Sequence, residues 1–435
     1  MAGSARRVGK VLLVTLIAVA VLVAGGIIGY QATLYRATPP QQGYLALTGA
    51  TVLTGDNLDA QQNATVLIED GEIVAVGTEV NVPSGANVLD VSGSTVLPGL
   101  MDLHVHLGTE RDAGQGIGPL QIPGVMWDSM RFNPHERRNL LEAGVTTARS
   151  LGNEHEWVAD LRAMIRDGEL EGPRLYAAGP VFTTRGGHPV VTIFGGRVVG
   201  VTQVPDDPDE ARDAVRRLAT GDRAVDIVKV IQERGRDGRP LEPIDPAVLR
   251  AIVDEAHERG LPVTAHWGTA DDLSEVLAAG VDSLEHIGRL PDGWPDDALA
   301  AIVGQDIPVA PTLAVTEVGA PPDGLQRALQ LTAGLHEAGA TIVVGSDAGM
   351  PGVPFGAGVQ RELELLVKAG ITPREALRAA TSNAALALGA TDVGIVEPGR
   401  AADILVVDGD PLTTIEDIRN VMLVLRDGRQ VVDNR

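Results

Sequence analysis

Four times between residues 140 and 345 an amphipathic run closes on glycine and an apolar run begins within a residue or two. The junctions are Gly144 before Val145, Gly260 before Leu261, Gly280 before Val281 and Gly339 before Ala340. Glycine suits the left-handed residue that closes a helix, so each junction reads as a helix end followed by a strand. Strands and helices that alternate in this way make parallel strands joined by crossover helices. Eight candidate strands follow: Val96 to Leu107, Val145 to Leu151, Arg174 to Val181, Val225 to Val230, Pro262 to His266, Val281 to His286, Ile307 to Thr312 and Thr341 to Asp347. Eight such units favour a closed (β/α)8 TIM barrel over residues 96–390 rather than an open doubly wound sheet. No Gly-X-Gly-X-X-Gly turn follows any of them, which weakens a dinucleotide-binding reading further.

On either side of this middle lie short β-type runs. Tyr44 to Leu53, Ala64 to Glu69, Glu72 to Val76 and Asn87 to Asp90 precede it, and Asp403 to Asp408, Val421 to Arg426 and Gln430 to Asp433 follow. Asp427-Gly428 reads as a hairpin turn. Neither set is large enough to bury a core alone, so residues 44–95 and 391–435 are expected to form one discontinuous β-sandwich. At the amino end, Arg6, Arg7 and Lys10 precede an uncharged apolar run from Val11 to about Tyr30, close to the roughly 20 residues that a spanning helix needs. The expected order is a basic cytoplasmic segment over 1–10, a transmembrane or signal helix over 11–30 and a linker over 31–43. The positive flank would keep the amino end in the cytoplasm and place the rest outside, anchored by the helix or secreted if it is cleaved.

Composition removes other classes. A formal charge of −23 argues against a nucleic-acid partner, which would need clustered Lys and Arg. Without cysteine there can be no disulfide, thiolate metal site, acylated lipoprotein cysteine or cysteine nucleophile.

In a barrel the chemistry occupies the carboxyl ends of the strands. There the sequence places His104 and His106 on one face of the first strand, Lys229 on the fourth, His266 on the fifth, His286 on the sixth and Asp347 on the eighth. His266 and His286 each stand six residues past a helix-closing glycine, which sets them at one level. A single strand-end histidine is more often hydrogen-bonded than metal-bound. Four of the nine histidines together with a carboxylate at strand ends point to a metal site. His257 and His336 fall in last turns of helices, and His135 and His155 at helix starts, where no catalytic role is expected.

This set, with its lead-in Leu97-Pro-Gly-Leu-Met-Asp-Leu-His-Val-His106, resembles the amidohydrolase superfamily of metal-dependent hydrolases. More narrowly it is similar to the branch of imidazolonepropionase-like and prolidase-like enzymes, from about Tyr44 onward. The resemblance implies two divalent metal ions, Zn2+ foremost with Mn2+, Co2+ or Fe2+ as alternatives. His104, His106 and Asp347 would hold the more buried ion and His266 and His286 the second, with Lys229 N6-carboxylated and bridging them. An unmodified ammonium beside two cations is strongly disfavoured, whereas a carbamate supplies two anionic oxygens. Imidazolonepropionase resembles a one-metal member without this lysine, so Lys229 argues against that activity. A metal-bridged hydroxide would attack the scissile carbonyl, and Asp347 would shuttle the proton to the leaving amine.

Gly186-Gly187-His188 matches a Gly-Gly-His element of this branch, with His188 as a candidate donor to the substrate oxyanion. Arg185 before it and Pro189 after it depart from the usual Thr-Gly-Gly-His-Gly pattern. Arg185, Arg197, Arg234 and Arg236 are candidates to pair with a substrate carboxylate, and Asp102 and Arg149 read as supports. The function expected is amide-bond hydrolysis in a dipeptide or N-acyl amino acid. Cyclic amide or lactone hydrolysis on the same centre is the runner-up, and a non-catalytic metal-binding surface receptor is the alternative of another class. Expected partners are a small-molecule or dipeptide substrate and, through the apolar helix, a membrane; a homo-oligomer is left open.

Overall fold

The computed structural model describes residues 2–40, 42–108, 122–236 and 238–435, without the side chains of residues 2–9, 11–13 and 322. The expectation for the charged side chains of Arg6 and Arg7 therefore lies outside what is described. The chain opens on a helix, α1 (Ala2–Ala32), longer at both ends than the apolar run. Its stretch Val14–Ala32 has mean hydropathy 2.0 and is not buried, so by length and composition it could cross a membrane. Part of the expected linker is docked rather than free. Arg137 Nη2 donates to Leu34 O at 2.7 Å, Glu171 N donates to Tyr35 O at 3.0 Å, and Thr38 N donates to Glu171 Oε2 at 2.7 Å. A buried guanidinium needs acceptors, and the carbonyls of this strap supply them.

Five strands come next: β1 (Tyr44–Thr54), β2 (Asp59–Glu69), β3 (Glu72–Gly77), β4 (Asn87–Asp90) and β5 (Ser94–Pro98). The middle begins with β6 (Leu100–Val105), α2 (Ile122–Met130), α3 (Pro134–Glu142), β7 (Val145–Ser150) and α4 (His155–Arg166). The third expected strand is split into β8 (Arg174–Ala177) and β9 (Val181–Phe182), with β10 (Thr202–Gln203) beside β9. After α5 (Pro208–Leu218) and β11 (Val228–Gln232) comes a small antiparallel pair, β12 (Gly235–Arg236) and β13 (Arg239–Pro240). Helices and strands then alternate through α6 (Pro246–Glu258), β14 (Val263–Trp267), α7 (Ala270–Ala279), β15 (Ser283–Glu285), α8 (Asp296–Gly304) and β16 (Val309–Ala310). Five helices follow: α9 (Leu313–Gly319), α10 (Pro322–Glu337), α11 (Ala357–Lys368), α12 (Pro373–Ala379) and α13 (Ser382–Leu388). The chain ends on β17 (Ile404–Asp408), β18 (Val421–Arg426) and β19 (Arg429–Asp433).

The expected helix-closing glycines are all left-handed: Gly144, Gly260, Gly280 and Gly339 have φ between 71° and 89°. Parallel pairing runs β6–β7–β8 and β9–β11–β14–β15–β16. Asp226 N donates to Ala177 O at 2.9 Å, which links β8 to the residues leading into β11. The eighth expected strand is not a regular one. Residues 341–348 meet β16 through Val343 N to Val309 O at 3.0 Å and β6 through Leu103 N to Val344 O at 2.9 Å. Regular pairing is broken there because Val344 N and Met101 N instead donate to Ala379 and Ala380, at the end of α12.

The two β regions form one hydrogen-bonded mixed sheet in the order β19-β18-β17-β5-β1-β2-β3, with β4 also on β1, and Ile73 N to Arg400 O and Ala402 N to Gly71 O, each 2.8 Å, bring its β3 edge back to the residues leading into β17. The bond is continuous because β5 pairs with β1 on one side and β17 on the other. Alternation then serves two cores at once. Ile404 and Val406 pack with Leu47, Val66 and Leu423 inside the outer domain, while Leu405 and Val407 join the core of the middle. At Gly99 the first expected strand is cut in two, so β5 belongs to this sheet and β6 to the middle. The outer sheet thus joins β6 at its amino end, opposite His104.

Candidate metal centre

His104 and His106 leave the end of β6 on one face, as alternation requires. His106 Nε2 lies 3.1 Å and His104 Nε2 3.6 Å from Asp347 Oδ1. One ligand atom from each of these three residues falls within 4.8 Å of the others, a spacing that fits a single ion. His286 Nδ1 lies 3.9 Å from Asp347 Oδ2. The ring centroid of His286 is 4.7 Å from both His104 and His266, and His188 stacks on His266 at 5.3 Å. All the imidazoles predicted for the site are therefore brought together with Asp347. Lys229 is 2% exposed, and its Nζ has no hydrogen-bond partner among the described residues.

Two ligand candidates reach the site through left-handed backbone, His286 at φ 68° and Asp347 at φ 60°. In the parallel ladder His266 is level with Glu285 rather than His286. A regular strand would aim Glu285 and His286 to opposite faces; the left-handed turn lets both side chains face the site. Sparsely populated backbone of this sort persists only where its surroundings fix it. Thr312, also left-handed at φ 50°, meets His286 Nδ1 through its Oγ1 at 2.7 Å. Gly345 is required by close approach, since a Cβ there would sit 2.8 Å from His104 Cβ.

Glu285 is a site residue that the sequence reading did not single out. It is fully buried; its Oε2 meets His104 Nδ1 at 2.7 Å and its Oε1 takes Arg149 Nη2 at 2.5 Å. Arg149 Nε also donates to Leu103 O at 2.6 Å, so a chain of contacts fixes the ring of His104. The legible signal was a carboxylate inside the apolar strand Ser283-Leu-Glu285, which needs a buried partner. Glu233 was missed as well; its Oε2 stands 3.3 Å from His266 Nε2. Asp102 accepts from Ser346 N at 2.9 Å and Ser346 Oγ at 2.5 Å, tying β6 to the segment that carries Asp347.

The electrostatics suit cation binding. Burial lowers His104 to about 4, and burial together with His266 lowers His188 to about 3 and His286 well below its ordinary value, which favours ring nitrogens with lone pairs to offer. Burial works to raise Asp347, but His104, His106 and His286 outweigh it and keep the carboxylate ionised. Burial likewise opposes ionisation of Glu285, yet Arg149, His104 and Lys229 hold it well below its usual range. Lys229 is pushed down to about 8 by burial, which leaves an appreciable neutral amine near neutral pH.

The loop residues divide. His188 Nδ1 meets Thr192 Oγ1 at 2.5 Å. Arg234 is taken by Asp272 and Glu275, so it is not available for substrate. Arg185, 3.8 Å from Asp206, is exposed, as are Arg197 and Arg236. A cleft of about 430 Å³ lined by Arg185, Asp206, Arg234 and Glu242 opens beside this loop, but none of the imidazoles lines it. His257 binds Asp282 at 2.8 Å in the last turn of α6, away from the cluster.

Similarity to known proteins runs over most of the chain. The profile of the amidohydrolase family matches residues 95–431. Ochratoxinase from Aspergillus niger is 27% identical over 420 residues, covering 85% of this chain and 81% of its own. Imidazolonepropionase from Salinispora tropica is 28% identical over 374 residues, covering 81% and 87%. Among solved structures, a provisionally assigned prolidase from Bifidobacterium longum superimposes with a TM-score of 0.75 at 30% identity, over 90% of this chain and 95% of that one.

Proposed function

The chain belongs to the amidohydrolase family, and from that premise we propose that it is a metal-dependent hydrolase cleaving an amide bond, in a dipeptide or an N-acyl amino acid. The observation that carries this reading is the grouping of His104, His106 and Asp347 at the spacing of one ion, with His286 and then His266 in ring contact beyond them and Lys229 buried and unpartnered. A wholly buried ammonium without a partner costs several kcal/mol, on the order of the burial penalties seen for isolated charges, and conversion to a carbamate between two cations removes that cost. His104, His106 and Asp347 would hold one ion, His266 and His286 the second, and carboxylated Lys229 would bridge them.

Divalent ions so held supply Lewis acidity toward a carbonyl oxygen and make water a better nucleophile near neutral pH. The chain's own groups do the remaining work. Asp347, ionised and beside His106, accepts the proton of the attacking water and delivers it to the leaving amine. His188, on the loop over His266, donates a hydrogen bond to the oxygen on which charge develops. Glu285 and Arg149 keep His104 in one orientation. The prolidase neighbour supports the dipeptide reading, and Lys229 counts against the activity named for the imidazolonepropionase relative.

The finer reading of the architecture belongs to the same proposal. The eight strand segments, with residues 341–348 bonded to β16 and β6, support a closed (β/α)8 barrel over 96–390 that carries an outer β domain from 44–95 and 391–435. We read α1 as an anchor that places the hydrolase outside the cytoplasm.

The test is metal analysis of purified protein followed by an amide panel of dipeptides and N-acyl amino acids, with lactones and cyclic amides as the competing set. Bound Zn, Mn, Co or Fe with linear-amide hydrolysis is expected; neither metal nor turnover after reconstitution would sink the reading. Lys229→Ala should lose metal and activity together, and a short carboxylic acid added to the variant should restore part of both. Indifference to that substitution would remove the bridge.

A further inference from the structure

Beyond α1, seven of the twelve large apolar side chains exposed among the described residues lie in two groups. On α2, Ile122, Met126 and Met130 fall at i, i+4 and i+8 on one face beside Trp127, with exposures of 47, 59, 56 and 41%. The inward Asp128 pairs with Arg131. In the loop that carries His188, Val191, Ile193 and Val198 are exposed in the same way, with the exposed Arg197 among them. Both groups follow the carboxyl ends of strands, β6 and β9, so both stand on the rim above the metal centre. Trp157 fixes the place of α2: its indole donates to Ser129 O at 3.0 Å while its ring packs on Gly108, two residues past His106.

The same patch is where α1 leaves the body. Tyr30 donates to Met130 O at 3.1 Å and its ring meets Trp127 edge-on at 6.0 Å, while Arg131 Nη1 donates to Thr33 O at 3.2 Å. A helix long and apolar enough to cross a membrane thus ends against the Trp-Met-Ile face of α2, and the loop beside His188 adds a second apolar group, Val191, Ile193 and Val198, with Arg197 among it. That composition matches the boundary between lipid headgroups and acyl chains. The outer sheet hangs from the amino ends of the strands, on the far side.

We propose that the catalytic mouth faces the lipid bilayer, with α2 and the 191–198 loop seated among the headgroups, so that the site takes amides carrying an acyl chain from the membrane surface. The substrate class follows from the seat: of the amides proposed above, long-chain N-acyl amino acids partition into lipid with the carboxylate and amide at headgroup level. This inference rests on the amide-hydrolase and anchor readings above.

The natural chain has no cysteine, so single-cysteine variants carry one dye each. Full-length V21C, M126C, I193C and V88C, labelled and reconstituted in phosphatidylcholine–phosphatidylglycerol vesicles with a lipid-borne quencher, test the orientation. V21C, M126C and I193C should each lose roughly half or more of their emission, and V88C on the outer sheet should keep it. Quenching at V21C alone would overturn the inference while sparing the anchor; no quenching at V21C removes both. Disulfide capture between two M126C copies without quenching would give the patch to a second copy instead. A second arm compares N-acetyl with vesicle-borne N-lauroyl amino acids: Met126→Asp should slow the lauroyl substrate roughly tenfold and leave the acetyl one unchanged, and equal effects on both would overturn the lipid route. If the unmodified enzyme cleaves neither, the amide-hydrolase reading fails while the quenching result still decides the orientation.

Discussion

Glu285 shows how a residue that touches no substrate can set a site. It holds His104 Nδ1 at 2.7 Å and is itself held by Arg149, so the ring's other nitrogen is aimed at Asp347. Glu285→Gln keeps the shape but loses the charge, and metal affinity measured by competition with a chelator should fall roughly 10–100-fold with little change in fold. Glu362 gives a prediction in pH. Its carboxyl accepts from Leu313 N at 2.9 Å and Ala314 N at 2.7 Å, and burial, with Asp102 and Asp347 adding to it, raises it from 4.5 to about 8. A carboxyl raised by folding contributes stability that is fully present below 4.5 and lost as the pH rises through about 8. Melting temperatures of the metal-free protein should therefore decline across that window, and Glu362→Gln should flatten the decline; parallel curves would remove the assignment. Of these residues, the ligand candidates were legible because strand-end histidines repeat at fixed offsets from glycine. Glu285 and Glu233 were not, because a single carboxylate in a sequence carries no sign of its partner.

Among the elements, the strap after α1 behaves differently from its reading in the sequence. Thr38-Pro-Pro and its neighbours read as a linker, yet Arg137 binds carbonyls of Leu34, Tyr35, Phe132 and Glu171 and stacks on Tyr35. Arg137→Met should cost about 3 kcal/mol in urea unfolding, because four carbonyls lose a charged donor. A chain lacking residues 1–32 keeps the strap and should stay folded and active on soluble amides, whereas one lacking residues 1–38 should unfold at lower urea. Equal midpoints for the two truncations would show that the strap only lies on the surface. The regular strands of the middle were read correctly in kind because their apolar runs follow a helix end. The segment 341–348 was not, since its backbone donors go partly to the end of α12 and no local pattern announces that.

For the whole molecule, the outer sheet binds the two chain ends into one unit. β17 pairs with β5, and β18 with β17, so removing residues 421–435 would uncover Ile404 and Val406 and leave Leu47 and Val66 facing a gap. That truncation should give insoluble or unfolded protein, assayed by sedimentation and circular dichroism, while the cut made at residue 32 should not. The sequence by itself determined the alternation of helix and strand, the two-ended β domain, the apolar amino-terminal helix and the identities of the six metal-site candidates. Each of these is a local periodicity or a repeated offset, which a chain displays before it folds. Tertiary structure alone decided that the outer strands form one sheet, that His286 and Asp347 turn inward through left-handed backbone, that Glu285 locks His104, and that α1 leaves against α2. These depend on which segments distant in sequence come within a few ångströms, and the bonds and charges that fix them exist only after the chain has closed.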